Sequence, residues 1–194
     1  MALLNLEKTY KEEIRPKLIK QTKGKSNVHA VVRLEKAIVN VGVGKVASTR
    51  RASASSKKTE EELVEDIATM VQGMSGQKPK VVIARKSIAG FKLREGNVAG
   101  LTATVRGQRM YDLVGRLVHI ALPRTRDFRG IPLTSVDKDG NITIGVRDMT
   151  IFPELANTIS SFGCEITLVT STKNREQAIA LYRELGIPFV KENT

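Results

Sequence analysis

Residues 34–41, LEKAIVNV, alternate with a period of two. In an extended strand that period sends Ala37, Val39 and Val41 to one face and Lys36, Ile38 and Asn40 to the other. The first set makes a core face, and the second holds a lysine and an amide toward solvent. LTATVR (101–106) repeats the pattern, with Leu101, Ala103 and Val105 on the apolar side and Thr102, Thr104 and Arg106 on the polar side. Two strands that each bury one face and wet the other call for a sheet covered by helices on one side only.

The covering helices are legible on either side of these strands. Leu3, Leu6, Tyr10 and Ile14 fall on one helical face, and Pro16 is expected to end or kink that helix ahead of a polar loop at 20–27. Leu63, Ile67, Val71 and Met74 repeat at helical spacing before Gly76, behind a Thr59/Glu62 capping box. Met110, Leu113, Leu117 and Ala121 mark a third helix, stopped by Pro123. KVVIA (80–84) reads as a strand. DKDGN (137–141) reads as the turn of a hairpin between strands near 131–136 and 142–147, with Ile142, Ile144 and Val146 inward. A short helix is expected over 153–162 and a strand over 164–170. Asn174 then caps a last helix that runs through Leu185 and stops at Gly186 and Pro188. The reading is α+β: a largely antiparallel sheet with helices packed on one face and a polar, basic face opposite. One domain spans 1–194 and carries two loops. Residues 47–58 (ASTRRASASSKK) are small, polar and basic, and read as a mobile loop, either an arm along phosphates or a tolerated insertion. Residues 85–96 read as an extended, exposed loop.

Composition narrows the function. A chain of 194 residues with 41% hydrophobic and 27% charged residues is long and apolar enough to fold around a core. It contains no apolar run of the roughly 18 residues a membrane span needs, and Glu7 and Lys8 interrupt the start before a signal-peptide core develops. A soluble, cytoplasmic protein without a membrane partner is expected. The single Cys164, with His29 and His119, offers neither disulfides nor metal-ligand spacing, so no metal or cofactor is expected. The net charge of +12 points to a polyanionic partner, and it is unevenly spread. Residues 77–130 hold 12 basic against 3 acidic side chains, whereas residues 131–194 hold 6 against 8. With 4% aromatics and no tryptophan, base stacking on aromatic platforms is not the main device. Phosphate and hydroxyl contacts through Arg, Lys, Thr, Asn and Gln remain, the mode suited to folded RNA.

Catalytic readings are thin. GVGKVA (42–47) fits G-x-G-x-x-A after a strand, but a dinucleotide site needs a helix directly after the glycines and an acid at the end of the next strand. Here the glycines run into ASTRRASASSKK. A glycine-rich strand exit, where the backbone bends or lies close to a partner, is the plainer reading. No Walker motif occurs, His119 sits among apolar helix residues, and Cys164 reads as a small hydrophobe.

LEKAIVNVGVG, SGQKPKVVIARKSIAGFKLREG, TVRGQRMYDLVGRLVHIALPRTRDFRGI, IFPE and LGIPF together resemble the bacterial-type fifth large-subunit ribosomal protein family, from the N-terminal helix to Phe189. The resemblance implies a non-enzymatic protein that binds 5S rRNA in the central protuberance, through residues matching Lys36, Asn40, Gln77, Thr104 and Arg106. It further implies that the loop matching Arg85 to Gly96 reaches peptidyl-site tRNA, with Arg85, Lys86, Lys92 and Arg94 as its basic contacts. Other implied partners are 23S rRNA, neighbouring large-subunit proteins and a small-subunit head protein across the intersubunit bridge. Three features depart from the family pattern: a longer stretch between GVG and GQKP, Val32 where a proline commonly stands, and Asp139 where the hairpin tends to be basic. Two other function classes stand beside this one, a general basic RNA-binding chaperone and a nucleotide-binding enzyme built on GVGKVA.

Overall fold

The computed structural model describes residues 5–21, 30–44, 60–91, 93–126, 128–155 and 162–190. Five strands form one sheet: β1 (Leu34–Gly42), β2 (Lys80–Ile83), β3 (Val98–Val105), β4 (Ile142–Val146) and β5 (Cys164–Thr170), in the order β2-β3-β1-β5-β4. The helices are α1 (Leu6–Thr9), α2 (Arg15–Gln21), α3 (Glu60–Ser75), α4 (Gln108–Arg116), α5 (Leu122–Arg124) and α6 (Arg175–Glu184). β2 and β3 run antiparallel, with Lys80 opposite Thr102 and Val82 opposite Gly100. β1 is antiparallel to β3, since the Val43 N–H donates to the Ala99 carbonyl at 3.2 Å while Asn40 meets Thr102. Period-two burial holds: Ala37, Val39, Val41, Leu101, Ala103 and Val105 are buried, and Lys36, Ile38, Asn40, Thr102 and Thr104 are half-buried on the other side. The α+β architecture and its antiparallel sheet follow the sequence reading.

The chain divides into two compact units. The first comprises Met1–Ala37, Arg106–Ile144 and Thr167–Thr194, and so holds α1, α2, α4, α5 and α6. Leu6, Tyr10 and Ile14 are buried as expected. The Tyr10 ring stacks on Tyr111 with centroids 5.8 Å apart, and its hydroxyl donates to the Val32 carbonyl at 2.8 Å. Desolvation raises both phenols, Tyr111 to about 12. Asn174 caps α6 by accepting from the Glu176 N–H at 2.9 Å. Tyr182, fully buried, shares its hydroxyl proton between the carbonyls of Gly140 (2.9 Å) and Leu168 (3.1 Å). Gly140 adopts φ 78°, and a Cβ there would lie 2.9 Å from that of Ala178, so the tight turn after Asp139 admits glycine alone.

The second unit comprises Ile38–Val105 and Gly145–Ile166. Its helix, α3, buries Leu63, Ile67, Val71 and Met74 and packs on β3. The helix end is tied by Ser75, whose hydroxyl donates to the Val71 carbonyl at 2.7 Å and accepts from the Gln77 N–H at 3.2 Å. Thr59 of the expected capping box and the loop at 47–58 lie outside the described residues.

Three local expectations need correction. Of the two effects expected of Pro16, an end to the first helix does not occur: the helix runs on to Gln21 through a π-helical turn over Tyr10–Ile14. There the Arg15 N–H donates to the Tyr10 carbonyl, five residues back, and the wider turn relieves the clash of the proline ring with the preceding turn. Residues 131–136 are not a strand. Pro132 brings no N–H, Leu133–Ser135 form a 3₁₀ turn, and the Arg175 guanidinium engages the carbonyls of Leu133 (2.7 Å) and Val136 (3.3 Å). Only the bridge Val136–Ile142 joins this segment to β4, and Ile131 pairs instead with Phe189. The helix expected over 153–162 is a 3₁₀ turn, Pro153–Leu155, in the described part; residues 156–161 lie outside it.

Candidate nucleic-acid interface

Asn40 and Thr102 face each other across β1 and β3, and the Thr102 hydroxyl donates to Asn40 Oδ1 at 2.7 Å. That bond fixes the orientation of the Asn40 carboxamide, which is half-buried on the polar face of the sheet. Thr104 follows two residues on along β3, half-buried on the same polar face. Gln77, exposed beyond α3, is anchored through its backbone to Ser75. Asn40, Gln77 and Thr104 thus lie in the second unit. Lys36, half-buried earlier on β1, and Arg106, exposed just past the end of β3, belong to the first. Thr102 is the residue whose role the sequence left unassigned. Its place on the polar face was legible, but its partner depends on the cross-strand register.

The loop after β2 is a closed structure rather than a featureless excursion. Ile88 and Leu93 exchange both backbone hydrogen bonds (2.9 and 3.2 Å), and the Glu95 N–H donates to Ser87 Oγ at 3.0 Å. At its base the Ala84 N–H donates to the Asn97 carbonyl, and the Gly96 N–H donates to that of Ala84, with Gly96 at φ 86°. Arg85, Lys86 and Arg94 are exposed on this hairpin, and no carboxylate among the described residues pairs with them. Lys92 lies outside the described residues.

No arrangement for catalysis emerges among the described residues. No group of three or more His, Cys, Asp or Glu side chains there could hold a metal, and His119 is exposed on a helical turn. Cys164 is buried at the start of β5, where desolvation and then the neighbouring Glu165 carboxylate push its thiol to about 12, so it stays a protonated, inert side chain. GVGKVA does not sit in a dinucleotide fold: β1 has an antiparallel neighbour in β3, whereas such a fold needs parallel strands joined through a helix. No helix among the described residues is long and apolar enough to cross a membrane.

Comparison with known proteins agrees with this picture. Residues 27–94 match the family model of ribosomal protein L5, and residues 98–189 match the model of that ribosomal family's C-terminus. The large ribosomal subunit protein uL5 of Synechococcus sp. (strain RCC307) is 45% identical over 188 residues, covering 96% of this chain and 98% of the relative. That of Prochlorococcus marinus (strain AS9601) is 45% identical over 190 residues, covering 97% and 99%. These are structural ribosomal proteins and not enzymes. With both halves matched by family models and likeness to relatives extending over nearly the full length, the chain belongs to the ribosomal protein L5 family.

Proposed function

We propose that this chain is a structural constituent of the large ribosomal subunit that binds 5S rRNA in the central protuberance through the polar face of its sheet. The observation that carries this reading is the Thr102–Asn40 hydrogen bond, which fixes a carboxamide on a strand at the sheet's polar face. Rigid elements fix recognition geometry more closely than loops do. Asn40, Thr104 and Gln77 supply hydrogen bonds to bases, ribose hydroxyls and phosphates, and Lys36 and Arg106 supply charge. The hairpin carrying Arg85, Lys86, Lys92 and Arg94 is the contact to peptidyl-site tRNA, a partner that must be held and released. 23S rRNA, other proteins of the protuberance and a small-subunit head protein across the bridge complete the set of partners.

The experiment is a gel-shift titration of 5S rRNA against a folded RNA of equal length. Saturable binding with a preference of about tenfold or more for 5S rRNA is expected. Equal affinity for both RNAs would instead favour a general basic RNA chaperone.

A further inference from the structure

Beside Asn40 the second unit carries an open cleft of about 560 Å³, with glycines from three chain segments in its lining: Gly42, Gly100 and Gly163. At two of them the chain itself crowds the position. A Cβ on Gly100 would lie 2.5 Å from the Val41 carbonyl oxygen, and one on Gly163 would lie 3.1 Å from that of Val146. Gly42 is different. A Cβ there would meet nothing within 4 Å, and the residue has no positive φ. Neither packing nor backbone conformation asks for glycine at this exposed strand position, where its conformational entropy makes it less favourable than alanine. A bare backbone is useful there to something outside the chain that approaches closely.

The other lining groups indicate what that is. Val82, 40% exposed, gives an apolar wall. Asn40 brings amide donors, its oxygen being held by Thr102. Glu165 is exposed at the start of β5, and its carboxylate makes no hydrogen bond or ion pair with another described residue. A free carboxylate on a surface that meets a polyanion is unfavourable unless it accepts hydrogen bonds from that partner. Among RNA bases, guanine alone sets two donors, N1–H and N2–H, side by side on its Watson–Crick edge, next to the O6 acceptor. Unpaired bases splayed from loops are read on that edge, and the cleft volume lies in the range of roughly 300–1,000 Å³ usual for small-molecule sites.

We propose that this cleft receives one unpaired guanine of the bound RNA, seated over Gly42 and against Val82, with Glu165 accepting from N1–H and N2–H and the Asn40 amide donating to O6. The inference rests on the reading of the sheet face as the 5S rRNA site and adds a base-specific subsite to it.

The test combines affinity with chemical probing of 5S rRNA by kethoxal, which modifies the N1 and N2 positions of unpaired guanines. Saturating wild-type protein is expected to protect a guanine. Glu165→Gln and Gly42→Val are expected to bind about tenfold more weakly, the size of one bidentate base contact, and to restore kethoxal reactivity at that guanine when saturating. Circular dichroism and thermal melting report that the variants are folded, and Glu165, being exposed, gives the result should Gly42→Val fail to fold. The sign of the Glu165→Gln effect is decisive. A carboxylate that merely faces phosphates would repel them, so its neutralisation would tighten binding, and that result overturns the proposal. Unchanged guanine protection in both variants overturns it as well. Wild-type protein that fails to bind 5S rRNA would overturn the sheet-face reading itself and the subsite with it, a result distinct from the other two.

Discussion

The Thr102 hydroxyl orients what Asn40 offers a partner, because its 2.7 Å hydrogen bond to Oδ1 fixes how the carboxamide is turned on the strand. Thr102→Val keeps the branched, strand-favouring shape but removes that constraint, leaving the amide free to rotate. RNA affinity is expected to fall by about 1 kcal/mol, roughly fivefold, while thermal stability changes little; Thr102→Ser should restore most of the affinity. Titration of 5S rRNA with the two variants checks this, and a Thr102→Val protein that binds like wild type would mean that Asn40 needs no positioning. Periodicity alone placed Lys36, Asn40, Thr102 and Thr104 on the polar face, since a strand's alternation is a property of one segment. The pairing of Asn40 with Thr102 links residues 62 apart and depends on how two strands slide past each other, which neither segment encodes by itself.

Helices α1 to α2 and α4 to α5 share one device: a five-residue π-helical turn, Tyr10–Ile14 or Leu117–Ala121, that ends two residues before a proline. The apolar spacing of both helices was legible, because the positions that must be buried are set by the core. The continuation past Pro16 was not, because proline's usual effect is to break a helix and the widened turn that accommodates it has no simple sequence mark. The hairpin over 85–96 was legible in the same partial way. Its basic residues and small side chains suggested an adaptable loop, yet Ile88–Leu93 pairing and the Ser87 hydroxyl close it into an element of its own. Lys86 and Arg94 stand exposed on it, apart in the chain from the strand positions assigned to 5S rRNA. Replacing both with alanine is expected to leave 5S rRNA affinity nearly intact and to weaken retention of peptidyl-site tRNA on assembled ribosomes, by on the order of 1 kcal/mol or less for each exposed contact. Filter binding of tRNA to reconstituted ribosomes, beside 5S titration of the free protein, measures both. A loss confined to 5S binding would reverse the division of labour between strand and hairpin.

Across the whole molecule the net charge of +12 is an average that conceals its own distribution. Residues 77–130 carry most of the excess, whereas residues 131–194, which supply β4, β5 and α6, are slightly acidic. Stability in these acidic stretches comes chiefly from burial of side chains such as Ile142, Ile166, Leu168 and Tyr182, the ion pair of Glu184 with Lys17 at 3.4 Å being open to solvent on its lysine side. Basic groups freed from such internal pairing are available for phosphates: Arg85, Lys86, Arg94 and Arg106 have no carboxylate partner among the described residues. Affinity for RNA should therefore fall steeply with salt. Each phosphate contact displaces condensed counterions and contributes about 0.7 to 0.9 to the slope of log affinity against log salt concentration. Arg106→Ala should shallow that slope by about one contact, because it removes a cation and leaves the strand hydrogen bonds in place. Asn40→Ala should behave differently, lowering affinity at every salt concentration with the slope unchanged, since a neutral amide displaces no counterion. Titrations of the two variants from low to physiological salt distinguish the contributions, and a slope indifferent to Arg106 would remove that residue from the RNA contact.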